Sequence, residues 1–253
     1  MGNGNEMATI AVYSLKGGVG KTTLAVNLAW SSAILSSRRT LLWDLDPQGG
    51  ASFLIGDGKA ARDTAQAVFS KDVAPEKLIR PSTIDRVDLL AADTSLRGLD
   101  RLLFTLDKKK RLAKLLETLG RHYDRIILDC PPGLTETSEQ VMRAADIILA
   151  PVIPSPLSER AFEDVVAFLD RLSGRRAPIL PIYSMVDRRR ALHKAAVELR
   201  PDWPVIPMAS TVEQMAIRRA PVGHFAHSSP AGQAFARLWQ GVERKLATMG
   251  PNG

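Results

Sequence analysis

Apolar positions along the chain fall into short continuous runs, separated by stretches with helical spacing. Residues 8–14, Ala-Thr-Ile-Ala-Val-Tyr-Ser, form a β-prone run that enters a glycine-rich turn, and an apolar helical pattern follows from Thr22 to about Ser36. The alternation recurs. Thr40–Asp44, Val87–Ala91, Arg125–Asp129, Ile147–Pro151, Ile179–Val186 and Val205–Pro207 are expected as strands. Arg101–Leu119, Glu159–Leu172, Arg189–Leu199 and Ser229–Met249 are expected as helices. Strands this uniformly apolar indicate a sheet covered on both faces. Strands alternating with helices predict an α/β fold, a doubly wound, mainly parallel sheet flanked by helices. The Pro/Ser-rich stretch Pro151–Ser158 is read as a structured loop, because patterned elements flank it closely. One domain over residues 8–253, after a disordered tail at 1–7, is the economical organisation.

Composition narrows this little. With 45% hydrophobic and 24% charged residues, the 253-residue chain is close to the globular average, which excludes disordered and collagen-like classes. The single cysteine, Cys130, excludes an intrachain disulfide and fits a reducing cytoplasm. No run approaches the roughly 18 apolar residues of a membrane span. Charge changes more. The formal net charge is +7, and residues 183–253 carry ten Lys/Arg against five Asp/Glu. A basic surplus concentrated in the last third raises the expectation of a polyanionic partner.

The chemistry is densest at Lys16-Gly-Gly-Val-Gly-Lys-Thr-Thr23. Gly20-Lys21-Thr22 matches the end of the phosphate-binding pattern G-x-x-x-x-G-K-[ST], but Leu15 stands where that pattern has its first glycine, so the loop is a variant. Gly17, Gly18 and Gly20 let backbone N–H groups, with those of Val19 and Thr23, approach phosphate oxygens. The following helix adds its positive N-terminal end, Lys21 reaches the β- and γ-phosphates, and the Thr22 hydroxyl is placed for Mg²⁺.

With the extra Lys16, this segment resembles the deviant Walker A motif of the ParA/MinD superfamily of P-loop ATPases. The resemblance runs over nearly the whole chain. It implies that Lys16 reaches across an ATP-dependent homodimer to the partner's phosphates, which couples nucleotide binding to dimerisation. Asp44-Leu-Asp46-Pro-Gln48-Gly-Gly resembles the Asp-x-Asp-Pro-Gln-Gly motif of ParA proteins. Carboxylates at the end of an apolar parallel strand stand where α/β sheets put their ligands, with surface acids as the other reading in isolation. The resemblance gives Asp44 the attacking water and places Asp46 and Gln48 in a nucleotide-sensing switch. Asp124-Arg-Ile-Ile-Leu-Asp129-Cys-Pro-Pro-Gly resembles a Walker B strand, with Asp129 holding Mg²⁺ through water and taking part in a second switch. Cys130 then reads as small buried filler.

Other matches are looser. In ParA-like proteins the region after the last strand borders the adenine, which makes Pro207 and Met208 candidate base contacts, with core or loop packing as the other reading. The family binds double-stranded DNA without sequence preference. Arg188, Arg189, Arg190 and Lys194, and Arg218 with Arg219, are the candidate DNA surface, since each phosphate contact adds affinity and salt sensitivity. A charge run is also what a solvated face looks like, the reading kept for Lys108-Lys-Lys-Arg111. Only about seven residues precede the first strand, so no helix-turn-helix is expected there. The closing amphipathic segment, with Phe235, Leu238, Trp239, Val242 and Leu246 on one stripe, is expected to pack on the sheet rather than on a membrane.

The resemblance thus implies a slow cytoplasmic, nucleoid-associated ATPase that dimerises on ATP, binds DNA and positions or segregates a DNA or protein-complex cargo. A ParB-like or cargo-adaptor protein would stimulate hydrolysis. A MinD-like membrane-associated division regulator and a metabolic P-loop relative are the alternatives.

Overall fold

The structure, a computed structural model, describes residues 7–58, 64–105, 110–172 and 176–249. The tail expected at 1–7 lies outside these residues apart from Met7. The first strand is β1 (Ala8–Val12), followed by α1 (Lys21–Leu35), β2 (Thr40–Asp44), α2 (Gly50–Ile55) and α3 (Ala67–Ser70). A short edge hairpin follows, β3 (Ile79–Pro81) and β4 (Val87–Leu90), then α4 (Leu99–Thr105), α5 (Arg111–Leu119), β5 (Arg125–Asp129) and α6 (Glu136–Ala144). The rest comprises β6 (Ile147–Val152), α7 (Pro156–Arg171), β7 (Ile179–Val186), α8 (Ala191–Leu199), β8 (Val205–Pro207), α9 (Ser210–Arg218), α10 (Val222–Ala226) and α11 (Pro230–Met249).

The strands form one eight-stranded sheet in the order β3-β4-β2-β5-β1-β6-β7-β8, parallel throughout except for β3 against β4. Every residue of β1, β2, β5 and β6 is buried, as a strand covered by helices on both faces requires. Two apolar clusters divide between the faces. One holds Trp43, Phe69, Leu116 and Leu128. The other joins Ile10, Leu28 and Ile127 to Phe235, Leu238, Trp239 and Val242 of α11. The stripe of the closing helix is therefore spent inside the protein, and the Trp239 indole N–H donates to Ser36 Oγ at 2.8 Å. Among the described residues no helix is long and apolar enough to cross a membrane.

After β1 the chain fills positions on one side of it as far as β5, then crosses to the other side with β6. Such a switch point leaves a crevice beyond the carboxyl ends of the central strands. The parallel register puts Val12 and Asp44 each beside Asp129, so three strand ends deliver their last residues to that crevice together.

The doubly wound sheet is as expected, with local corrections. The helix expected over Arg101–Leu119 is two helices. Lys110 has a non-helical backbone, and the Arg111 guanidinium turns inward to donate to the Val68 and Phe69 carbonyls. Arg111 is therefore a buried tie and not part of a solvated charge run, while Lys108 and Lys109 lie outside the described residues. The segment read as a loop at Pro151–Ser158 is a loop only over residues 153–155, between the end of β6 and the first turn of α7. Pro156 suits the first helical position, where its missing N–H costs no hydrogen bond. Helix α6 carries a reciprocal cap at its start: the Thr135 hydroxyl accepts from Ser138 N and Ser138 Oγ accepts from Thr135 N.

Candidate functional site

The loop between β1 and α1 closes over the N-terminus of α1. Gly20 has φ +92°, a backbone that side-chain-bearing residues rarely adopt, and a Cβ there would also stand 3.0 Å from Ser184 Oγ. A glycine is required at this point. Lys21, the first residue of α1, is buried, and its ammonium donates to the Lys16 carbonyl at 2.9 Å across the loop. Burial pushes its pKa down, and the charges of Asp129 and Asp46 hold it up. Gly17, Gly18, Gly20, Lys21, Thr22 and Thr23 line a cleft of about 680 Å³, together with Asp46 and Gln48. Val19, expected among the nucleotide-binding residues, is buried and does not line the cleft.

The carboxylates beneath the loop differ in their partners. Asp44 is fully buried: Oδ2 accepts from Ser52 N at 2.8 Å and Ser52 Oγ at 2.7 Å, and Oδ1 accepts from Asp46 N at 3.2 Å. Burial pushes its pKa up to about 6, against those hydrogen bonds. Asp129 is equally buried, yet neither of its oxygens makes a hydrogen bond of ordinary geometry. Burial and then the neighbouring Asp44 carboxylate raise its pKa well above the usual range, while the Thr22 hydroxyl and Lys21 ammonium pull it down. A buried carboxylate with both oxygens open is costly unless a cation or a donor completes it. Thr22 stands close to the loop after β2. A Cβ on Gly50 would meet Thr22 Cγ2 at 3.0 Å and Oγ1 at 3.2 Å, so the absence of a side chain at Gly50 leaves the threonine hydroxyl its place. Cys130 is wholly buried with its thiol pKa pushed up, as expected of filler.

Lys16 stands apart from this group. Its ammonium donates to Ser158 Oγ at 3.3 Å, at the start of α7, and not into the cleft of its own subunit. Pro207 is half-buried and Met208 exposed at the end of β8; the side chain that reaches the cleft from this direction is Met185 of β7.

Several residues enter the site that the sequence did not point to. Leu96, Arg97, Leu99 and Asp100 line the cleft opposite the glycine loop. Asp100 Oδ1 accepts from Thr137 N at 2.9 Å and Thr137 Oγ1 at 2.7 Å, which anchors the first turn of α6. Buried Tyr13 donates its hydroxyl to the Gly133 carbonyl at 2.8 Å, tying the exit of β1 to the Pro131-Pro132-Gly133 loop. Such partners are far apart in sequence. Only the Ser/Thr-rich start of α6 carried a local signal, the capping pattern.

The basic residues separate into spent and unspent groups. Arg189 is paired with Asp187 at 2.9 Å, and Lys194 lies 3.9 Å from Glu198. Arg219 donates to the Phe53 carbonyl at 2.9 Å and the Gly56 carbonyl at 2.8 Å, and stacks on Phe53, so its guanidinium clamps α2. Arg218 donates Nε to Gln214 and stacks on Phe225. Both border a second cleft of about 730 Å³ with His224 and Asp57. Arg188 and Arg190 are exposed, without an ion pair among the described residues.

A family model described as an AAA domain matches residues 7–182. The chain is 32% identical to the chromosome partitioning protein ParA of Caulobacter vibrioides over 74% of this chain and 73% of the relative. It is 37% identical to the sporulation initiation inhibitor protein Soj of Bacillus subtilis, over 56% of this chain and 57% of Soj. Among solved structures, the septum site-determining protein MinD of Pyrococcus horikoshii, complexed with Mg-ADP, superposes with a TM-score of 0.79 at 23% identity, covering 98% of this chain and 100% of that one. That last likeness is one of fold.

Proposed function

The chain belongs to the ParA/MinD superfamily of P-loop ATPases, of partition type, and from that premise we propose that it is an ATP-driven dimerisation switch that binds DNA without sequence preference and positions a cargo. The observation that carries this reading is that Gly17, Gly18 and Gly20–Thr23 line one cleft and Asp44 and Asp129 are paired, buried, at the strand ends, while the Lys16 ammonium donates to Ser158 and not into that cleft. A lysine needed by its own nucleotide would lie inside.

ATP fits the cleft with its phosphates under the loop amides and the N-terminus of α1, and with Lys21 against the β- and γ-phosphates. The residues fit Mg²⁺. A small hard cation takes one or two protein oxygens, several waters and the substrate phosphates. The Thr22 hydroxyl and the open oxygens of Asp129, through water, supply the protein's share. Bound there, the ion neutralises phosphate charge. Asp44 orients the attacking water and takes its proton. Asp46 and Gln48, on the loop leaving β2, sense the γ-phosphate, and so does the Pro131–Gly133 loop held by Tyr13. Met185 borders the nucleotide on the side where Pro207 and Met208 were expected to do so. A partner protein accelerates turnover by stabilising this arrangement, since little covalent chemistry is left for the protein in phosphoryl transfer.

Lys16 supplies the link to dimerisation. Changing Lys16→Gln removes the cation that crosses to the partner's phosphates, so ATP no longer doubles the mass seen by light scattering, while ADP affinity stays near that of the parent. A mass that still doubles removes Lys16 from the interface.

The DNA surface draws on the exposed arginines that are not already paired. Arg188→Glu with Arg190→Glu abolishes ATP-dependent retention on random-sequence duplex and leaves ATP binding intact. Each lost phosphate contact reduces the salt slope by about one. Arg219→Glu would also release α2 and is a poor probe.

The deciding experiment is retention of the parent protein on random-sequence DNA with ATP, ADP or no nucleotide, with anionic liposomes in parallel. Retention on DNA with ATP alone is the expected result. Retention on liposomes alone favours a MinD-like regulator, against which the burial of the α11 stripe weighs, and retention on neither favours a metabolic relative.

A further inference from the structure

We propose that Ser52 is a positioning residue for hydrolysis, its hydroxyl selecting which oxygen of Asp44 faces the attacking water. This rests on the reading of the cleft as an ATPase site with Asp44 acting on water.

The argument is one of hydrogen-bond inventory. A serine hydroxyl has a single proton to donate and two lone pairs. Ala92 N, just beyond β4, can only donate, and it does so to Ser52 Oγ at 2.9 Å. The hydroxyl proton is thereby free to point at Asp44 Oδ2, 2.7 Å away. Ser52 N, in the first turn of α2, donates to the same oxygen at 2.8 Å. Two short bonds from one residue occupy Oδ2. Oδ1 takes only the longer bond from Asp46 N at 3.2 Å, which leaves a lone pair there for a water proton. Ser52 thus fixes the rotation of a buried carboxylate that has the Asp129 and Asp46 carboxylates as charged neighbours, and it does so from a point braced by β2, α2 and the exit of β4. The brace is also where nucleotide state is read: the loop from Asp46 to Gly50 runs between Asp44 and Ser52, and Gly50 lies against Thr22. A shift of this loop moves both donors to Oδ2 together.

Loss of the hydroxyl frees the carboxylate to rotate and leaves Ala92 N–H without an acceptor. A hydrogen bond to a charged group is lost, and the expected effect of Ser52→Ala is a fall in kcat of about tenfold to a hundredfold. KM and ADP affinity stay near their parent values, because Ser52 does not border the phosphates.

Single-turnover hydrolysis of Mg-ATP by the parent, Ser52→Ala, Asp44→Ala and the double variant tests this, with fluorescent ADP binding as the check on folding. Ser52→Ala is expected to slow the parent and to change the Asp44→Ala residual rate by less than about twofold, since a residue acting through another has nothing left to orient. Ser52→Ala turning over at the parent rate overturns the proposal, and so does a slowing that is equally large in the Asp44→Ala background, which marks a structural role. If Ser52→Ala does not bind ADP, the pair Ser52→Thr and Ser52→Val carries the test, sharing a shape and differing in the hydroxyl: Thr is expected to be about tenfold faster, and equal rates overturn the proposal. A parent that does not hydrolyse ATP, or an Asp44→Ala variant as fast as the parent, refutes the underlying reading of the site instead.

Discussion

Asp44→Ala binds Mg-ATP as tightly as the parent and turns it over at least about a hundredfold more slowly, the share a positioned general base commonly supplies. Binding survives because Asp44 is fully buried, bonded to Ser52 and Asp46, and does not line the cleft, while the glycine loop and Lys21, which do, are the residues proposed to hold the phosphates. Turnover fails because no other described carboxylate stands in its place. Asp129 is the residue proposed to hold the metal water, and the Asp46 carboxylate accepts from Gln48 N at 2.9 Å. The pH dependence has a definite sign. Asp44 must be ionised to accept a proton, and burial has raised its pKa to about 6 in the nucleotide-free protein. Hydrolysis therefore rises with pH on the acid side and levels above that region. In the bound complex Mg²⁺ moves the acid limb lower and the ATP phosphates move it higher. Single-turnover rates between about pH 5 and pH 8 check both points. Parent-like turnover by Asp44→Ala takes Asp44 out of the mechanism.

Where the chemistry depends on residues close in sequence, it is legible in the sequence. The glycine loop, Lys21 and Thr22 sit within one strand-turn-helix unit, and the apolar runs ending in Asp44 and Asp129 announce carboxylates at parallel strand ends. The pairing of those strand ends needed the register. Contacts that cross the chain were out of reach: Tyr13 to Gly133, Asp100 to Thr137, Arg219 to the carbonyls around α2. Periodicity also missed elements too short to show a period, such as β3, which has three residues and ends in Pro81, and α2, α3 and α10. Composition misjudged two arginines. Arg111 and Arg219 count as surface charge in any census, yet each spends its guanidinium on backbone carbonyls of a neighbouring segment.

Asp129→Asn raises the melting temperature of the nucleotide-free protein at pH 8 and abolishes the further rise that Mg-ATP gives the parent. The first effect follows from linkage. Asp129 and Asp44 are register neighbours, both fully buried, and the Asp129 pKa lies well above its unfolded value. Between the ordinary carboxylate range and that raised pKa the folded state binds more protons than the unfolded one, so stability falls as pH rises through the window. An amide in place of the carboxylate carries no charge to desolvate and can donate where two anions repel, so the gain is largest at high pH and shrinks toward pH 4. Each kcal/mol recovered moves the midpoint by about 2–4 °C in a chain of this size. The second effect follows from mass action. A ligand that binds only the folded state stabilises it by about 2.7 kcal/mol at a hundred times its Kd. On the proposed reading that increment requires the metal water held by Asp129. Thermal melts at pH 8 with and without Mg-ATP separate the outcomes. A variant that melts below the parent without nucleotide means that Asp129 is satisfied by the protein alone. A variant that gains as much as the parent from Mg-ATP means that the metal is held without it.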